Sequence, residues 1–360
     1  MAAWNDGYVF DVAYTTGFYR EISPGWLSAA AMLLGQRPPD ITRPFRWAEL
    51  GCGHGLSVNI FAASNPAGEF HGFDFNPAHV ESGRRLASSA GLTNAHFHEM
   101  AFGDLAEAPE GQFPQFDFIV AHGIWIWVSA ETRLQMTAAI RRFLAPGGLL
   151  YISYNALPGW ASLLPVQKYM REYARVHPGN SADVTQAAIN SVRELIKGDA
   201  AFFGANPAVA ARLDATTNMD AKYLAHEYLN ANWDPTSFTQ VADVLGEGKV
   251  GYIGSATLIE NIDAVAVPPN TLKLLRASPT SACARPSATS APTARSAATF
   301  TAVAPRRRCP ANSARCWTRC TLSAPGGRPS RTSRSPPGSA SSACAWISTP
   351  RSWPGSPRGR

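Results

Sequence analysis

Between an apolar run, Phe45 to Leu50, and a helix-forming run that begins at Leu56 lies Glu49-Leu50-Gly51-Cys52-Gly53-His54-Gly55. No other stretch restricts the fold so sharply. Three glycines at alternate positions let the chain turn tightly and bring its backbone close to a ligand, because glycine has no side chain in the way. The acid ahead of them restricts the ligand. A carboxylate repels a pyrophosphate but suits a cationic or hydroxyl-bearing group. The dinucleotide fingerprint Gly-x-Gly-x-x-Gly would need its third glycine at position 56, where Leu56 stands.

Around this loop, residues 45–154 alternate between strand-like and helix-like segments. Phe45 to Leu50, Glu69 to Phe73, His96 to Met100, Phe116 to Ala121 and Leu149 to Tyr154 read as strands. Leu56 to Ala63 reads as a helix; a second starts at the cap Asn76 with Pro77 in its first turn and can run to about Ala90. A third runs from the cap Ser129 through Leu144, and Pro146-Gly147-Gly148 stops it. Such alternation predicts right-handed βαβ units in a doubly wound, mostly parallel α/β sheet. Ligands of such sheets sit beyond the strand carboxyl ends, near the switch point. The glycine loop, Asp74, the Met100–Phe102 segment and His122-Gly123 all fall at such ends. Asp74, some twenty residues after the loop, is placed to accept hydrogen bonds from ribose hydroxyls, with Phe75 beside it to pack on an adenine edge. From about Trp160 to Gly246 the pattern turns helical, over Gln167 to Val176, Ala182 to Lys197 and Ala221 to Asn230; Lys249 to Leu258 reads as a strand.

The formal charge of +6 suggests an acidic partner until the chain is divided. From Ala277 to Arg360 there are 13 Arg and no Lys, Asp or Glu, so the remaining body carries 19 basic against 26 acidic residues. Five of the six cysteines also lie in that tail, leaving Cys52 alone in the body, as expected of a reducing cytoplasm. The start of the chain has no signal-peptide pattern, and no apolar run reaches membrane-spanning length. The tail, rich in Ser, Ala, Pro, Arg, Thr and Gly, buries too little to offset chain entropy and is expected to be disordered. A basic nucleic-acid arm, or a zinc site at Cys316 and Cys320, is the functional reading of it. No second ligand pair supports the zinc site, and the abrupt change of composition near Arg276 is what a shifted reading frame produces. His177 and His226 belong to no His-x-x-x-His pair, so no metal site is expected.

Four runs in order, Glu49 to Gly55, Gly72-Phe73-Asp74, Phe116 to Val120 and Leu144-Ala145-Pro146-Gly147-Gly148, resemble the successive motifs of class I S-adenosylmethionine-dependent methyltransferases over residues 45–155. A narrower likeness lies in His122 to Val128, Ser153 to Trp160 and His226 to Leu229. These runs resemble bacterial methyltransferases that carry a methyltransferase regulatory domain. The resemblance implies S-adenosyl-L-methionine as cofactor, a Rossmann-like domain at 45–160, an incomplete helical regulatory region at 161–276 and the tail at 277–360. It implies that Glu49, Gly51, Cys52, Gly53 and Gly55 surround the methionine and ribose portions, that Asp74 holds the ribose diol, and that Ala101 and Phe102 lie beside adenine. Asp104 is left open as an adenine contact. His122 and Gly123 would face the sulfonium, His122 either taking a proton or only positioning. Trp125, Trp127, Tyr154 and Asn155 are candidates for an acceptor pocket, with plain packing as the other reading of the tryptophans. In the N-terminal segment, residues 1–44, Tyr14, Phe18 and Tyr19 are candidates for a cofactor lid or for packing.

The expected activity is methyl transfer to an acceptor nitrogen or oxygen. Some relatives with this regulatory domain resemble protein-lysine methyltransferases, which implies a protein acceptor beside a small-molecule one. The Asn155-Ala156-Leu157-Pro158 run follows the fifth strand and lacks adjacent prolines, which argues against methylation of nucleic-acid bases. A module that binds the donor without turnover and a nicotinamide-dependent oxidoreductase are the alternative readings, and oligomeric state is not legible.

Overall fold

The computed structural model describes residues 7–9, 11–12, 16–277, 298–302 and 344–348. Five parallel strands form its centre: β1 Phe45–Leu50, β2 Gly68–Asp74, β3 Ala95–Glu99, β4 Phe116–Ala121 and β5 Leu144–Tyr154. Their spatial order is β3-β2-β1-β4-β5, so the sheet is wound outward from β1 in both directions. This is the Rossmann-like architecture expected from the alternation. The crossovers are α2 Leu56–Ser64, α3 Pro77–Ser89, α4 Phe102–Glu107 and α5 Ala130–Phe143, preceded by an N-terminal α1, Pro24–Leu33. Asn76 caps α3 through the Ala78 N–H, and Ser129 caps α5 through the Thr132 N–H.

Both sheet faces are covered, which explains why Phe118 to Ala121 in β4 and Leu149 to Ile152 in β5 read as continuous apolar runs rather than alternating ones. Trp47, Phe70, Phe118, Val120, Leu149 and Tyr151 point to the side packed by α2 and α3. Phe73, Phe116, Ile119, Ile152 and Tyr154 point to the other, against α5. One departure concerns Pro146-Gly147-Gly148. The strand begins at Leu144, because Leu144 pairs with Phe116 before the register shifts to Phe118 opposite Leu149. The proline and glycines therefore form a bulge inside β5 rather than a gap ahead of it.

The helical region comprises α6 Leu164–Val176, α7 Ser181–Lys197, α8 Ala201–Ala205, α9 Pro207–Ala215, α10 Ala221–Leu229 and α11 Phe238–Glu247. It is not a separate body: Met170, Ile189, Val192, Leu213, Leu224 and Tyr228 continue the core on the α5 face of the sheet. After it come β6 Val250–Ser255, α12 Asp263–Ala266 and α13 Pro269–Ala277. Two tail segments, β7 Ala298–Ala302 and β8 Cys344–Ser348, pair antiparallel with both β5 and β6. The rest of the tail, with its candidate zinc pair, lies outside the described residues. Among the described residues no helix is long and apolar enough to cross a membrane.

Candidate functional site

A cavity of about 400 Å³ opens over the carboxyl ends of β1, β2 and β4, where the winding of the sheet reverses. That size lies within the range of small-molecule sites. Its floor is the loop after β1. The N–H groups of Gly51 and Cys52 both donate to the Phe73 carbonyl, at 2.8 and 3.1 Å, which ties the loop to β2. Gly53 adopts φ +52°, and its N–H donates to Asp74 Oδ2 at 2.8 Å. Asp74 Oδ1 accepts from the Asn76 N–H at 2.9 Å and lies 3.2 Å from His79 Nδ1. A carboxylate has about four lone-pair sites, so this aspartate is held rigidly by three partners and retains capacity for a ligand hydroxyl.

Glu49 is the anomaly of the floor. It is 6% exposed and lines the cavity, yet its Oε2 has no hydrogen-bond partner. Burial, with the Asp74 charge adding to it, pushes its carboxyl up to about 8. A buried polar atom left without a partner is costly and rare in folded proteins. One that faces a cavity fits a ligand that brings a positive charge or a donor to it. Across the β4 end, His122 Nδ1 lies 2.8 Å from the Tyr151 hydroxyl and 3.2 Å from Ser153 Oγ, while the Gly123 N–H donates to Ser153 Oγ at 2.8 Å. The Tyr19 ring stacks on the His122 imidazole with centroids 3.7 Å apart. Burial pushes His122 down to about 3, so the ring stays neutral.

The roof comes from two distant parts of the chain. Tyr8, Thr16, Gly17 and Tyr19 reach it from the N-terminal segment, and Tyr223, His226, Glu227 and Asn230 from α10 and its end. They are stitched together: the Val9 N–H donates to Asn230 Oδ1 at 2.8 Å, the Ala231 N–H to the Gly7 carbonyl at 2.9 Å, and His226 Nε2 lies 3.1 Å from the Val12 carbonyl.

A methyltransferase-domain family model matches residues 48–150, and a model described as a predicted methyltransferase regulatory domain matches residues 220–287. Residues 48–150 thus resemble a methyltransferase domain, carried on a Rossmann-like parallel sheet. Over 262 residues it is 39% identical to the protein sll1526 of Synechocystis sp., a match covering 73% of this chain and 51% of that protein. It is 30% identical over 167 residues to RP028 of Rickettsia prowazekii, covering 46% of this chain and 63% of that one. The chain thus spans about half to two thirds of the length of these relatives. Among solved structures it shares its fold with PKMT2 from Rickettsia typhi, at TM-score 0.64 and 23% identity over 73% of this chain and 49% of that one. A second structure of PKMT2, in complex with AdoHcy, gives TM-score 0.62 at the same identity, covering 73% of this chain and 50% of that one.

The cavity brings together Glu49, Gly51, Cys52, Gly53, Asp74, Phe75, Ala101, Phe102, His122, Gly123 and Trp127. Other candidates lie elsewhere. Gly55 caps α2 in the left-handed region at φ +71°, and a Cβ there would come within 2.3 Å of the Phe97 ring. That glycine lets α2 pack closely on β3 and α3, and it does not line the cavity. Trp125 and Tyr154, each 1% exposed, are core residues beneath the cavity. Asn155 stands behind the wall, its Nδ2 donating to Glu227 Oε1 at 3.3 Å. Asp104 is exposed and turned back on the Ala101 N–H at 3.4 Å, so it does not reach the cavity. Of the two roles considered for His122, its neutral, doubly engaged ring suits positioning rather than proton uptake. In the N-terminal segment Tyr19 lines the cavity, Phe18 is exposed against Phe61, and Tyr14 lies outside the described residues. His177 is exposed and stacked on Tyr173.

Sequence reasoning missed Tyr8, His79, Tyr223, Glu227 and Asn230. Only Glu227 carried a local signal: an acid set among the apolar residues of Tyr223-Leu224-Ala225-His226-Glu227-Tyr228-Leu229.

Proposed function

We propose that the protein transfers a methyl group from S-adenosyl-L-methionine to a nitrogen or oxygen acceptor, on a protein side chain or a small molecule, by in-line displacement. The observation that carries this reading is the Glu49 carboxyl, buried and with Oε2 unpartnered in the floor of a glycine-lined cavity. When bound, the donor supplies a methyl group on a positively charged sulfur, already a good leaving group. Glu49 would meet the cationic amino-acid end, Asp74 the ribose hydroxyls, and Phe75 with the Ala101-Phe102 backbone the adenine. Gly53 fixes Asp74 through its N–H. Tyr19, stacked on His122, walls the reacting end from water. What remains for the protein is orientation and exclusion of solvent, which can supply most of such a rate enhancement without a catalytic triad. The complex of PKMT2 with AdoHcy supports the same reading.

The test is calorimetry of the full chain with S-adenosylmethionine and S-adenosylhomocysteine, followed by labelling of lysate with a tritiated methyl donor. Micromolar binding and transfer of label are expected. Binding without transfer to protein, lipid or small molecules would instead identify a donor-binding module, and absence of binding would refute the site.

A further inference from the structure

Two carboxyls enter the cavity from different parts of the fold. Glu49 comes from the end of β1, Glu227 from α10 in the segment matched as regulatory. Tyr19 lies near enough to both that their charges help raise its hydroxyl above the usual range. Glu227 is half-buried and held by two neutral donors, Asn155 Nδ2 to Oε1 at 3.3 Å and the Tyr223 hydroxyl to Oε2 at 3.4 Å. Among the described residues it forms no ion pair. The cation whose charge it feels, Arg212, has its guanidinium laid over the Trp160 ring at 3.6 Å. An enclosed carboxylate without a paired cation is electrostatically incomplete, and a positively charged ligand group completes it.

Resting on the donor site proposed above, we infer that Glu227 is the acceptor-side proton acceptor, and that the group it serves is an amine arriving as its ammonium. An alkylammonium ionises near pH ~10.4, so at neutral pH its nitrogen has no lone pair to attack with until a proton leaves. The Glu227 carboxylate takes that proton. The freed nitrogen lone pair forms the bond to the methyl carbon, and the bond from sulfur to that carbon breaks with its electron pair remaining on sulfur. The methylated nitrogen carries the positive charge that sulfur gives up, and the Glu227 proton passes to solvent as the product departs. Burial holds this carboxyl at about 7, against the lowering effects of Arg212, Asn155 and Tyr223, and Tyr19 and Tyr228 are the other titratable groups it couples to. A group titrating there accepts and releases protons readily at neutral pH. The segment matched as regulatory is then part of the catalytic wall.

The test compares full-length wild type, Glu227→Gln and Glu227→Asp. Lysate is labelled with tritiated S-adenosylmethionine, and S-adenosylhomocysteine affinity is measured by calorimetry. Expected for wild type is label that survives mild base and is retained as a methylated amine on cation exchange. Its rate should rise with pH up to about 7 and then level. Glu227→Gln should lose at least tenfold in rate and lose that pH limb, with donor affinity within threefold of wild type; Glu227→Asp should recover part of the rate. A Glu227→Gln protein that labels at the wild-type rate overturns the inference alone, as does wild-type label released by base as methanol. Wild type that binds no donor overturns the underlying donor site, and wild type that binds but labels nothing overturns the transfer reading with it.

Discussion

Glu49 precedes the glycines in the loop, Asp74 is hydrogen-bonded to one of them, and the two carboxyls differ in how they are held. Asp74 spends its hydrogen-bonding capacity mainly on the protein, through Gly53, Asn76 and His79, so its geometry is set before any ligand arrives. Glu49 keeps one oxygen unpartnered. Because its carboxyl is raised to about 8, it is mostly protonated in the free protein at pH 7, and a cation bound beside it favours the ionised form. Donor binding at pH 7 should therefore release close to ~1 proton, seen as a dependence of calorimetric enthalpy on buffer ionisation enthalpy. Glu49→Gln should abolish that dependence and weaken binding at least tenfold; a wild type with no buffer dependence would contradict the assignment. Gly53→Val and Asp74→Ala should each weaken S-adenosylmethionine binding at least tenfold, of the order of the ~1–3 kcal/mol that accompanies loss of a buried or charged hydrogen bond. Unchanged affinity in both would remove Asp74 from the site.

Between elements, β2 and β3 meet in a ladder of histidines. His71 Nδ1 lies 3.1 Å from His98 Nε2, and His96 pairs with Glu69 at 2.7 Å on the same face. Burial, reinforced by the other histidines, lowers His71 to about 3 and His98 to about 4. The folded state thus keeps both rings neutral, while the unfolded chain takes up protons near pH 6.5. Stability from this pair should be intact above pH 6.5 and decline as pH falls toward 4 and then 3, because the unfolded state binds more protons throughout that window. Thermal melts of wild type and His71→Gln over that range check it: the variant should show the shallower decline, and parallel curves would rule the ladder out as the cause. The alternation of strands and helices around this pair was legible because each element buries one face in a fixed period. The bulge at Pro146-Gly147-Gly148 was not, since it depends on Leu144 finding Phe116 across the sheet. The burial of Trp125 and Tyr154 in the core was not legible for a similar reason: proximity in sequence to a strand end does not say which way a side chain turns.

At the scale of the whole molecule, the cavity exists only because the N-terminal segment and the helical region close over the sheet. Asn230, 1% exposed, is the pin: its Oδ1 accepts from the Val9 N–H and its Nδ2 donates to the His226 carbonyl at 2.7 Å. Asn230→Ala should cost ~1–3 kcal/mol of local stability. The amide protons of residues 8–12 should exchange faster, with a faster donor off-rate, while exchange in β1 and β4 stays as in wild type. Equal exchange at residues 8–12 in both proteins would show that the segment is held by other contacts.

The sequence by itself determined the parallel sheet, the glycine turn at its switch point and Asp74 beside that turn, and it led to the expectation of a cationic or hydroxyl-bearing ligand. All of these follow from short-range patterns: the period of apolar residues, the freedom of glycine and the charge of a neighbouring acid. Tertiary structure alone decided that Gly55 packs near Phe97 outside the cavity lining, that the His122 ring is buried and neutral beside Tyr151, Ser153 and Tyr19, and that Glu227 faces the same cavity as Glu49. Those outcomes depend on burial and on contacts between residues far apart in the chain, as with Tyr8 or Tyr19 and α10. Desolvation and long-range closure, which decide them, leave no periodic trace in the sequence.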